Sequence, residues 1–254
     1  GGAKLATGTT SGGNPEPPGS GTGGVTACKD SGVGGLYKGL QGLVKSRNIP
    51  LIEGHGHLVA ADTVEVNGQN VQGRNVVLAS GSYARSLPGL EIGGRIITSE
   101  EALQLDYVPK SVVVLGGGVI GIEFASVWTS FGTSVTIVEA LPHLVPNEDE
   151  SLSKALERAF RKRGIGFNVG VRFAGVTQDD AGVPVSLESG ETIDAELLLV
   201  AVGRGPSTHS LGYEEQGVTL DRGVVIAKDR PPTGVATIYA VGARVPGPQP
   251  AHRG

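Results

Sequence analysis

The feature that most constrains this chain is VVVLGGGVIGIEF, residues 112–124: four apolar residues, three consecutive glycines and the start of a helix-forming run. Gly116, Gly118 and Gly121 satisfy the pattern G-x-G-x-x-G. Each position has a physical task in a strand–loop–helix unit. Gly116 permits the tight turn out of the strand, Gly118 lets a pyrophosphate approach the backbone, and Gly121 lets the helix lie close to the strand. The phosphates then face free N–H groups at the positive end of the helix, at Val119 and Ile120.

On their own the glycines are a weak signal, so the flanking sequence decides. It predicts a strand over 111–115, a helix from about Val119 to Phe131 and a strand over 134–139, SVTIVE. A second helix follows in SLSKALERAFRKRG, with Leu152, Leu156, Ala159 and Phe160 on one face and Gly164 as its stop. Beyond FNVGVRF, the runs VRFAGVTQ and VPVSLE flank the turn DDAG, and ETIDA continues an antiparallel meander. LLLVAVG reads as a buried strand and TIYAVG, 237–242, as another. Alternating strands and helices give an α/β fold.

Ahead of the motif, Leu36, Leu40 and Leu43 recur at helical spacing, followed by short strand-like runs in LIEGHG, HLVAA, TVEV with the turn NGQN, and RNVVLAS. Val76, Val77 and Leu78 form a continuous apolar run, as in a strand covered on both faces. Residues 1–33 are rich in Gly, Ser, Thr and Pro and read as a disordered arm, with order beginning at Leu36.

Which dinucleotide is read from Glu139. This acid ends the strand after the glycine helix, close to the spacing of about 20 residues expected for a carboxylate on a ribose 2′-OH. It repels a 2′-phosphate, and Ala140, Leu141 and Pro142 follow it without an arginine, so NAD is favoured over NADP. Glu123 has two readings: an acid near the positive helix end, or a carboxylate facing the nicotinamide.

Composition narrows the rest. A net charge of −4 gives no basic face for nucleic acid. No apolar run approaches the roughly 20 residues of a membrane span, and GGAKLATGTT lacks the pattern of a signal peptide. One cysteine, Cys28, precludes an intramolecular disulfide and fits a reducing, cytoplasmic setting. The 254 residues contain no methionine, so the sequence reads as an internal piece of a longer protein.

LGGGVIGIEFASVWTSFGTSVTIVEALPHLVPNEDE resembles the NAD domain of flavoprotein (pyridine nucleotide) disulfide oxidoreductases, most of all dihydrolipoamide dehydrogenases. VVLASGS (76–82) resembles that family's A-T-G stretch, LLVAVGRGP (198–206) its A-x-G-R-x-P stretch, and GVATIYAVGARVPGPQPAH its late flavin motif. The resemblance implies a Rossmann-like NAD domain, 109–229, inserted into a partial FAD-binding domain of the same type, 34–108 and 230–254. It implies NAD and FAD as cofactors, a lipoamide-bearing protein and a homodimer partner. By position it implies nicotinamide-side roles for Glu123 and Gly203, and flavin-side roles for Ala79, Gly81, Gly242 and Ala243.

The departures from the family pattern are as informative. The first glycine fingerprint and the C-x-x-x-x-C redox pair are absent, and Cys28 in TACKDSG does not match that motif. Ala243 stands where the family has a flavin-binding aspartate. The dimer domain with its His–Glu base is also absent. His252 belongs to a loop, and His55, His57, His143 and His209 are scattered singly. No catalytic residue is therefore assigned, since disulfide exchange needs a thiolate and a second sulfur. The expectation is the NAD side of a dihydrolipoamide dehydrogenase, inactive alone. The alternatives are a non-catalytic NAD-binding module or a piece of a related reductase such as mercuric reductase or soluble transhydrogenase.

Overall fold

The computed structural model describes residues 22–226 and 233–242. Its centre is a five-stranded parallel sheet in the spatial order Ile96–Ile97, Leu197–Val200, Ser111–Leu115, Ser134–Glu139, Gly166–Val169. Every pairing in it is parallel and in continuous register, for example Val113 with Thr136 on one side and with Leu198 on the other.

Ser111–Leu115 is apolar throughout its last four residues because it is covered on both faces. Side chains alternate along a strand. Val112 and Val114 therefore pack with Ala125, Trp128, Ile137 and Phe160 beneath the helices Val119–Ser130 and Glu150–Lys162. Val113 and Leu115 pack on the opposite face with Val183, Val185 and Leu187 of an antiparallel meander, Phe173–Val176, Val183–Leu187 and Thr192–Ala195. Arg95 pins that meander to the sheet, donating to the carbonyls of Asp179, Asp180 and Glu196.

The helix Glu150–Lys162 differs from its sequence reading. Leu152 is 58% exposed and Ala159 is also exposed. The buried face instead carries Ser153, Glu157 and Phe160. Apolar spacing was right at Leu156 and Phe160, which pack on the core, and failed at Leu152 and Ala159 because two inward positions are polar and hold a loop, described below.

Outside the central sheet, a three-stranded meander (Gly56–Ala60, Thr63–Val66, Gln69–Gln72) precedes Val76–Leu78, which pairs in parallel with Ile238–Ala240. Leu78 is buried, whereas Val77 is 58% exposed. The expectation of a strand covered on both faces therefore fails at Val77. Ser82–Ala84 pairs antiparallel with Arg204–Pro206.

The arm predicted to be disordered through residue 33 is helical from Thr22, in a helix Thr22–Ser46. A helix satisfies its own backbone hydrogen bonds, so scarcity of apolar residues does not exclude one. Its apolar side chains stay out of the core: Leu36, Leu40 and Leu43 are 54–79% exposed, and Lys29 Nζ donates to the Leu103 carbonyl at 2.8 Å. Residues 1–21, Ala243 and the loop with His252 lie outside the described residues.

Candidate dinucleotide site

The glycine loop leaves the carboxyl end of Ser111–Leu115, where the strand order runs one way to Ser134–Glu139 and the other way to Leu197–Val200. Ligands of open α/β sheets bind at such a switch point. Gly116 has φ +110°, and a Cβ there would overlap the Ala201 carbonyl oxygen of the neighbouring strand end. A Cβ at Gly121 would overlap the Gly116 carbonyl oxygen and press on Val114. These two glycines are needed by the fold itself.

Gly118 is different. It caps the helix Val119–Ser130 with φ −73° and ψ 179°, which any residue adopts, and a Cβ there would meet nothing within 4 Å. The helix start has no side-chain cap and no acid in its first turn. Val119 is exposed and Ile120 half-buried, so the first-turn N–H groups border open space. An anion fits that position, because uncapped N–H groups and the helix dipole both favour negative charge. Glu123 is exposed one turn further on.

Glu139 is 8% exposed at the end of its strand. Its carboxylate accepts from Gly117 N–H at 2.7 Å and from Leu141 N–H at 2.8 Å. The acid thus shapes the glycine loop as well as lying beside it, a task that spacing did not reveal. Each oxygen keeps acceptor capacity for a ribose hydroxyl. Beyond Glu139 the turn is held by Val171 N–H on the Glu139 carbonyl and Gly170 N–H on the Leu141 carbonyl. A groove of about 300 Å³ opens there, lined by Ala140, Gly170, Val171, Arg172, Glu188 and Ser189. Arg172 is thus a cation in the groove that no local sequence pattern indicated.

The remaining candidates converge on a second place. Val241 N–H donates to the Leu78 carbonyl at 3.2 Å, which brings Gly242 beside Ala79. Ser207 N–H donates to the Gly81 carbonyl and Arg85 N–H to the Gly203 carbonyl, both at 3.0 Å. Arg204 donates to Ser82 Oγ at 2.8 Å and to the Ser82 carbonyl, with Glu100 3.9 Å away. Cβ atoms at Gly81, Gly203 and Gly242 would all meet open space. Gly203 follows Ala201, on which Gly116 packs, so the two places adjoin.

Pyridine nucleotide-disulphide oxidoreductases match residues 7–254 as a family. The chain belongs to that family. Its members are flavoproteins that use FAD and a pyridine nucleotide. The chain is 36% identical over 237 residues to the mitochondrial dihydrolipoyl dehydrogenase of Pisum sativum, covering 89% of this chain and 47% of the relative. It is 38% identical to the dihydrolipoamide dehydrogenase of Chaetomium thermophilum, with 89% and 47% covered, and 36% identical to a leghemoglobin reductase of Vigna unguiculata, with 91% and 46% covered. Among solved structures, the HOCl-induced flavoprotein disulfide reductase RclA from Escherichia coli superposes with a TM-score of 0.82 at 28% identity, covering 89% of this chain and 53% of that one. The chain spans about half the length of the curated relatives it matches.

Residues of the open sites fit the family's cofactors unequally. The glycine loop and Glu139 fit a dinucleotide. The open glycines at 81 and 242 leave room for a flavin edge, but among the described residues no second glycine loop stands ready for the pyrophosphate of FAD. No helix of the described residues is long and apolar enough to cross a membrane, and no group of three or more metal-ligating side chains occurs among them.

Proposed function

We propose that this chain binds NAD, and that it is the NAD side of an oxidoreductase of the dihydrolipoamide dehydrogenase type. One observation carries the reading: a glycine loop at the sheet's switch point leads into an uncapped helix N-terminus, with the Glu139 carboxylate held beside it. In it, the N–H groups of Val119 and Ile120 bind the pyrophosphate, Gly118 lets it close on the backbone, and Glu139 takes the ribose hydroxyls. Bound there, NAD supplies a hydride acceptor. Glu123 and Gly203 line the nicotinamide side, and Ala79, Gly81 and Gly242 the flavin side.

The reading places the NAD-binding unit at 109–229, with 34–108 and 230–254 as flanking FAD-type sequence. Cys28 is the sequence's single cysteine and lies exposed on the N-terminal helix. Disulfide chemistry, a lipoamide-bearing substrate and a homodimer are accordingly proposals for a whole protein that supplies a cysteine pair. The cytoplasm suits the free thiol, while the relatives include enzymes named as mitochondrial. Titration of the chain with NADH and NADPH by fluorescence, alongside an assay of lipoamide-dependent NAD reduction, tests the reading. NADH binding without turnover supports a nucleotide-binding role, and turnover with bound flavin establishes the enzyme. Failure to bind NADH, or preference for NADPH, refutes it.

A further inference from the structure

The loop after Glu139 grips the glycine loop, and the grip is anchored by an acid that the nucleotide reading does not use. Gly117 is held on three sides. Its N–H bonds Glu139, its carbonyl accepts from Val145 N–H at 2.8 Å, and the fully buried Leu144 covers its Cα closely enough that a Cβ would stand 2.7 Å from Leu144 Cδ2. Val145 is itself in the left-handed region, φ +45°. For a β-branched residue that conformation is costly and persists only where its surroundings enforce it.

The enforcement comes from the inward polar face of the helix Glu150–Lys162. Glu157 is 7% exposed. Its Oε1 accepts from Leu144 N–H at 3.2 Å and lies 3.5 Å from His143 Nδ1. Ser153 Oγ, one turn earlier on the same face, donates to the Val145 carbonyl at 3.4 Å. Glu150 Oε1 lies 3.6 Å from His143 Nε2, so the imidazole that sequence reading left solitary sits between two carboxylates. Lys154 pairs with Glu150, and Arg161 with Glu157.

We infer that Glu157 is a positioning residue for the nucleotide loop, fixing Gly117 through His143, Leu144 and Val145 although it touches no nucleotide. The inference rests on the NAD-binding reading. Without the carboxylate, the Leu144 N–H loses its acceptor and Val145 relaxes toward ordinary backbone. Gly117 then loses the contacts that aim the following N–H groups at the pyrophosphate.

The test compares Glu157→Ala, Glu157→Gln and His143→Ala in the 254-residue chain, reading NADH affinity and amide hydrogen exchange at Val145. The Ala variant at 157 should bind NADH about tenfold or more weakly, the worth of one charge-assisted hydrogen bond, and exchange faster at Val145. Glu157→Gln keeps an oxygen for Leu144 N–H and should recover most of the affinity and protection. His143 is part exposed, so its Ala variant should fold normally and show a smaller loss of both. Wild-type affinity in Glu157→Ala, or equal losses in the Gln and Ala variants, would overturn the inference. A wild-type chain that does not bind NADH would overturn the nucleotide reading instead. Exchange at Val145 would then decide the grip: unchanged protection in Glu157→Ala would end it.

Discussion

Gly118→Ala separates the nucleotide site from the fold. The backbone at 118 suits alanine, and the added methyl would meet no protein atom within 4 Å. Two small terms oppose each other. Alanine is a poorer helix N-cap than glycine by roughly 1 kcal/mol, while loss of unfolded-state freedom stabilises by about 0.4–1 kcal/mol. The net change in stability is therefore within about 1 kcal/mol, or roughly 2–4 °C in Tm for a chain of this size. Binding should respond differently, because the methyl occupies the space through which the pyrophosphate reaches the helix N–H groups. Losing one charge-assisted hydrogen bond costs about 1.5–3 kcal/mol, a drop of roughly 10- to 150-fold in NADH affinity. Calorimetric Tm and NADH fluorescence titration on the same preparation read both. Gly116→Ala is the contrasting control: its φ of +110° and the Ala201 carbonyl predict loss of the fold. NADH binding to Gly118→Ala at wild-type strength would refute the assignment of the open space to a pyrophosphate.

Three further outcomes are expected. Glu139→Ala should weaken NADH binding by about 1–3 kcal/mol and narrow the gap to NADPH, since it removes both the ribose acceptor and the charge facing a 2′-phosphate; parallel titrations check it, and unchanged affinity removes Glu139 from the site. Arg95→Ala should loosen the meander over residues 173–195, at a cost of roughly 1–3 kcal/mol in urea unfolding, with faster amide exchange confined there. Asp149 caps the helix Glu150–Lys162, and hydrogen bonding by Ser151, from its side chain and then its backbone N–H, holds the carboxyl below the usual aspartate value. Because the folded value is lowered, that contribution is present above the ordinary aspartate range and fades as pH falls through the lowered one. Asp149→Ala should accordingly lose stability near neutral pH and show a flatter acid limb in a Tm-against-pH series; parallel curves would dismiss the cap.

Local sequence rules captured the elements that depend on neighbours along the chain. VVVL is buried on both faces as its unbroken apolar run requires, and the turn DDAG joins the strands it separates. The helix Glu150–Lys162 was found, with Leu156 and Phe160 inward as its spacing predicts, but Leu152 and Ala159 face out. Apolar spacing selects Leu152, whereas Ser153 and Glu157 point inward because the loop at 143–145 offers them backbone partners. The N-terminal helix was read only from Leu36 onward, and its first part from Thr22 was missed for the opposite reason: composition reports burial, and this helix buries little.

By itself the sequence determined the α/β class, the position of the glycine loop and the acid that ends the next strand. Those follow from steric rules at single positions and from side-chain periodicity. Only the tertiary structure decided that Glu139 holds Gly117, that Arg172 lies in the adjoining groove and that His143 stands between two carboxylates. The physical reason is distance along the chain. Hydrogen bonds and charge pairs act over a few ångströms in space, and here they join residues 7 to 22 positions apart, beyond what periodicity and local spacing encode.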